Sequence, residues 1–81
     1  MIAEQAGAVA AAERAVQGNE SNPELQVALG IAYFDAGRLD AAAAAFQRAL
    51  ALDESMAAAH NGIGRVRYHT GPPQAAVAAY A

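Results

Sequence analysis

Residues 21–56 read SNPELQVALGIAYFDAGRLDAAAAAFQRALALDESM, and this stretch decides the fold. Ser21-Asn22-Pro23-Glu24 is a helix start: it holds a Ser-x-x-Glu capping box, with Pro inside the first turn where its missing N–H costs little. Leu25, Leu29, Ala32, Tyr33 and Ala36 then recur at helical spacing. Gly37 ends that helix, since glycine readily takes the left-handed conformation that helix C-termini favour. Arg38-Leu39-Asp40 turns the chain into a second helix whose inner face is Leu39, Ala42, Ala43, Phe46, Ala49 and Leu50. Residues 53–56 break it, so the stretch is one helix-turn-helix unit.

Sliding the sequence against itself shows that the unit recurs. A shift of 34 places Leu29 on Ile63, Gly30 on Gly64, Gly37 on Gly71, Ala42 on Ala76 and Phe46 on Tyr80. The opposite shift places Ala42 on Ala8, Ala49 on Ala15, Leu50 on Val16 and Glu54-Ser55 on Glu20-Ser21. Alanine matches carry little weight in so Ala-rich a chain; the aligned glycines, the aromatic pair and the Glu-Ser pair carry it. The expected organisation is the second helix of a partial repeat over 1–22, a complete repeat over 23–56 and an incomplete one over 57–81. The last has a helix over 57–70 and a further helix starting at Gly71-Pro72-Pro73. This predicts an all-α chain of about five helices, antiparallel helix-turn-helix repeats stacked as an α-solenoid.

Composition agrees. Of the 81 residues 56% are hydrophobic, but much of that is Ala, the best helix former and a poor core filler, which predicts helices packed closely through small side chains. There is no Cys, so no disulfide or thiolate metal site can reinforce the fold, and a reducing compartment such as the cytoplasm is the expectation. The net charge is -3, and the five basic residues, all Arg, are spread along the chain without a run, which disfavours a nucleic-acid partner. The first residues lack a signal-peptide pattern, and the apolar run over 41–46 is far too short to cross a bilayer, so no membrane partner is expected.

Leu29-Gly30, Tyr33, Gly37, Ala42, Phe46 and Ala49 stand at the spacings of the tetratricopeptide repeat signature, and the chain resembles that family over nearly its whole length. It departs from the signature in places. The family's early Trp is Gln26 in one unit and His60 in the next; its late Pro is Glu54, and Glu20 before it; Tyr33 is matched by Arg67. Gly30 and Gly64 lie inside helices, where Gly costs about 1 kcal/mol relative to Ala. Their expected role is close approach of the paired helix, with Ala42 or Ala76 opposite.

No catalytic, cofactor-binding or metal-binding residue is expected. Gly62-Ile63-Gly64 starts like a dinucleotide fingerprint, but Arg67 takes the third glycine position and no strand precedes it. His60 and His69, nine residues apart, lie half a turn out of phase on a helix and cannot share a metal. His60, at the family's Trp position, is expected to be a partly buried packing residue. Ser21, Ser55 and Thr70 sit at helix ends, where capping or turn roles explain them. Asp53-Glu54 and Asp40 fall in turns and read as solvation, and Asn19-Glu20-Ser21 matches a glycosylation acceptor of the kind common by chance.

The resemblance implies that the first helix of each unit lines the concave side of a superhelix. The stripe opposite the packing face there is Glu24, Val27, Ile31, Phe34 and Asp35 in one unit, and Ala58, Asn61, Arg65, Tyr68 and His69 in the next. Val27, Ile31 and Phe34 either pack on neighbouring repeats or form a groove for an apolar side chain of a partner, with Arg65 and Asn61 holding a carboxylate or backbone nearby. The candidate partner-binding residues are therefore Val27, Ile31, Phe34, Asp35, Asn61, Arg65, Tyr68 and His69. The family's carboxylate clamp uses Lys and Asn, and the chain has no Lys, so that mode is not expected. Two function classes stand: a scaffold binding a peptide or helix of a protein partner, or a docking or regulatory segment of a larger enzyme. The chain is also expected either to self-associate through the open ends of the solenoid or to be only marginally folded alone. One side of the first helix carries Ile2, Ala6, Val9, Ala12 and Val16, and the last helix stops at Tyr80-Ala81.

Overall fold

The computed structural model describes residues 3–70, with side chains from 7 to 69. It holds four helices: α1 (Ala3–Val16), α2 (Pro23–Asp35), α3 (Leu39–Leu52) and α4 (Ala57–Thr70). Among the described residues there is no strand. The fold is all-α, with antiparallel helix-turn-helix repeats stacked as a solenoid: α1 packs on α2, α2 on α3 and α3 on α4, while α2 also meets α4. The helix expected from Gly71, the open ends at Ile2 and Tyr80, and Ala76 opposite Gly64 lie outside the described residues.

Local chemistry sets the bounds of α2. Pro23 is its first helical residue, and the residue before a proline is pushed out of the helical region. Asn22 is accordingly extended (φ -92°, ψ 108°), and its side-chain oxygen accepts from the amides of Glu24 (3.0 Å) and Leu25 (3.3 Å). The cap is thus Asn22 and not Ser21, one residue later than the Ser-x-x-Glu pattern suggests. At the other end Gly37 has φ +81°. Its amide donates to the Phe34 carbonyl (3.0 Å) and that of Arg38 to Tyr33 (2.9 Å), which closes the helix in a Schellman motif. The Arg38 guanidinium lies 4.7 Å from the Tyr33 ring centroid and supplies the side-chain contact that accompanies such a turn. α3 follows at Leu39, so Asp40 sits in its first turn, where a carboxylate suits the helix dipole.

The core runs through the stack: Val9, Val27, Leu29, Ala32, Tyr33, Ala42, Ala45, Phe46, Ala49, Ala59 and Val66 are all buried. Ala42, Ala45, Ala49 and Ala59 have no exposed surface, as close packing through small side chains requires. α3 packs on both α2 and α4, so it buries Ala45 in addition to the stripe expected from period alone.

Phe46 is the largest fully buried side chain, and glycines flank it. A Cβ on Gly30 would fall 2.6 Å from the Phe46 ring, and one on Gly62 would fall 2.5 Å from it. Gly30 therefore makes room for an aromatic ring rather than for Ala42. Gly62 does the same from the following unit. Gly64 meets no described atom within 4 Å.

One side chain near the start of α2 and one near the start of α4 tie these helices to the loops before them. Gln26 is buried; its amide donates to the Glu20 carbonyl (3.2 Å) and its oxygen accepts from Arg48 Nε (3.2 Å). His60 Nε2 lies 2.9 Å from the Glu54 carbonyl. His60 is exposed rather than partly buried, because its ring reaches out to this backbone oxygen. In the same loop Asp53 Oδ1 accepts from the Ser55 hydroxyl (2.7 Å) and amide (3.0 Å), and these bonds hold the Asp53 carboxyl below its usual range. Asp53 is part of the turn's architecture and not merely a solvated charge.

Tyr33 joins α2 to α1 by donating its hydroxyl to Glu13 Oε2. This bond, helped by burial, raises the Tyr33 pKa above the usual 10.0. The folded state thus holds the phenol proton more tightly than the unfolded chain. The stabilisation is fully present below about pH 10 and is lost as pH rises through the raised value. The urea midpoint of the wild type is expected to fall more steeply above about pH 10 than that of Tyr33→Phe. Parallel curves would remove the linkage.

Candidate partner-binding groove

A cleft of about 190 Å³ opens between α2 and α4, lined by Ile31, Phe34, Phe46, Ala58, Asn61, Gly62 and Arg65. The helical period brings these groups together. Ile31 and Phe34 lie three apart on α2; on α4, Ala58, Asn61 and Arg65 follow at steps of three and four, with Gly62 about one turn from both Ala58 and Arg65. Because Gly62 has no side chain, the wall of α4 recedes there and the buried Phe46 ring forms the floor.

The rim is aromatic and cationic. The Arg65 guanidinium lies 4.8 Å from the Phe34 ring centroid. His69 meets Phe34 edge-on (centroids 5.3 Å apart, planes at 73°), and Tyr68 meets His69 in the same manner at 5.4 Å. Ile31 and Tyr68 stand out as exposed large apolar groups, at 46% and 85%.

Of the eight residues expected to meet a partner, Ile31, Phe34, Asn61 and Arg65 line the cleft. His69 and Tyr68 continue from it along α4 through ring contacts. Asp35 is exposed at the end of α2. Val27 is buried in the core and does not line the cleft, since α2 is apolar almost all round and is covered by both α1 and α3. Sequence periodicity did not place Phe46 and Gly62 in the site. Phe46 belongs to the packing stripe of α3, and only the glycine opposite it hints that its ring faces a gap.

Among the described residues no group of His, Asp and Glu is placed to hold a metal, and no helix is long and apolar enough to cross a membrane. Stacked helix pairs with a groove across their first helices define the class: a helical-repeat interaction module. The tetratricopeptide repeat family model matches residues 5–57 and again residues 27–81, and the chain belongs to that family. Tetratricopeptide repeats are generally protein–protein interaction modules and typically non-catalytic scaffolds. Neither a curated protein nor a solved structure matches the chain.

Proposed function

We propose that the chain is an interaction scaffold that binds a peptide or helix of a partner protein in the groove between α2 and α4. In this reading residues 1–22, 23–56 and 57–81 are a partial, a complete and an incomplete repeat. The observation that carries it is the cleft itself. An apolar floor and wall (Phe46, Ile31, Phe34) stand beside two groups, Arg65 and Asn61, that can hold a peptide's polar atoms. Protein fits better than nucleic acid, because the five basic residues, all Arg, are spread along the sequence without a basic run. No catalytic group, cofactor or membrane contact is part of the proposal.

Short peptides selected from a random display library against the chain provide the test. Phe34→Ala and Arg65→Ala are each expected to weaken their binding by about tenfold or more, with helicity unchanged. Gln47→Ala, an exposed position on α3, is expected to leave it alone. Equal binding by all three variants would show that the peptides sit elsewhere.

A further inference from the structure

We infer that the chain associates head to tail with a second copy of itself, the open face of α1 on one copy taking the open face of α4 on the next. The contact repeats between two chains the packing that α3 and α2 make within one. It uses no residue that lines the groove, so it stands apart from the reading above.

The face on α1 comes first. Ala42, Ala45 and Ala49 of α3 have no exposed surface, because α3 packs on two helices, α2 and α4. Their counterparts 34 residues earlier, Ala8, Ala11 and Ala15, are again alanines, and all three are exposed. α1 turns Val9, Ala12 and Val16 inward, and among the described helices it packs on α2 alone. The three exposed alanines lie about a third of a turn round the helix from that side. α1 thus carries the small-residue seat that on α3 receives a helix, with the seat open.

α4 carries the matching surface. Gln26, Leu29 and Gly30 of α2 are buried, and Gly30 lies against Phe46 of α3. Their counterparts on α4 are His60, Ile63 and Gly64. His60 and Gly64 are exposed, Ile63 is half-buried, and a Cβ on Gly64 would meet no described atom within 4 Å. Ala12 stands at the place of Phe46, so the joint between copies lacks a ring and is weaker than the joint inside the chain.

A polar pair fixes the register. Arg48 Nε donates to Gln26 Oε1 across the joint of α3 and α2 (3.2 Å). The counterparts are Arg14, exposed on α1, and His60. His60 Nε2 lies 2.9 Å from the Glu54 carbonyl, which can only accept, so that nitrogen carries the proton and Nδ1 of the neutral ring is left as an acceptor. Arg14 of one copy can donate to it as Arg48 donates to Gln26. Because the two faces differ, the contact is heterologous, and a pair of copies leaves one face of each kind open.

Sedimentation equilibrium of the full chain over a wide concentration range tests this. The wild type is expected to form a concentration-dependent series of oligomers. Ala11→Arg blocks the α1 face and Gly64→Arg the α4 face; both positions are exposed and Arg is a good helix former, so the circular dichroism spectrum should not change. Each variant alone should be monomeric. An equimolar mixture of the two should give a dimer and nothing larger, since each supplies the face the other has lost. Arg14→Glu should weaken the wild-type association by about tenfold. A wild type that stays monomeric, a Gly64→Arg chain that still dimerises, association indifferent to Arg14→Glu, or a mixture without the dimer would overturn the inference.

Discussion

Phe46→Ala is expected to abolish cooperative unfolding of this chain at 25 °C. Truncating a buried Phe costs about 3–5 kcal/mol through lost transfer energy and the cavity left behind. The stability of a typical domain is only about 5–15 kcal/mol, and a chain this short belongs at the low end. The site also has little means of collapse. Its walls at Gly30 and Gly62 are backbone, and helix backbone does not move inward as a side chain does. Urea titration followed by circular dichroism checks this. A midpoint close to that of the wild type would show that the ring is not the keystone its burial suggests. Phe46→Leu, which keeps most of the volume, should remain folded with a lower midpoint.

Gly30→Ala and Gly62→Ala form the second case, because helix propensity and packing oppose each other there. In an exposed helix interior, Gly→Ala gains about 1 kcal/mol. Here each new methyl would fall about 2.5 Å from the Phe46 ring, and overpacking of a tight core costs about 1–3 kcal/mol. Packing should win at both sites. The ring is pinned between two helices, so relief from one methyl drives it towards the other glycine. The double variant should therefore lose more than the two singles together, and Phe46→Leu should relieve part of the loss. Stabilisation by either single substitution would mean the ring yields freely. Gly64→Ala, with no described atom near it, is expected to gain up to about 1 kcal/mol. Loss there instead would show that the helix-propensity gain does not apply at Gly64.

Much of the fold is legible in the residues, since punctuation by Pro, Gly and Asp acts over a few residues. The stop at Gly37, the break after Leu52 and the helix Ala57–Thr70 all follow from local signals. Half of the candidate groove is legible for the same reason: Ile31, Phe34, Asn61 and Arg65 share faces that helical period alone defines. What the sequence hides is contact between units. Val27 has the spacing of a groove residue but is buried, because α2 is covered on two sides. Gly62 looks like a fragment of a nucleotide motif and is in fact the relief for a ring sixteen residues away in the chain, Phe46. The cap fell to Asn22 because Pro23 fixes where the helix begins, a one-residue difference that the competing Ser-x-x-Glu pattern obscures.

Gln26 and His60 have a consequence for how such arrays grow. Both occupy the same place in the 34-residue unit, and both reach a carbonyl oxygen six residues earlier, at Glu20 and Glu54. A backbone acceptor asks only for an N–H at the right reach, so an amide and an imidazole serve alike. The joint needs no matching side chain on the other half, and when the unit is duplicated, each copy brings its own donor and finds its acceptor already in the main chain. Inheritance of the joint is thereby separated from inheritance of any particular pair of residues, and a new unit can be added in register while the rest of its surface diverges.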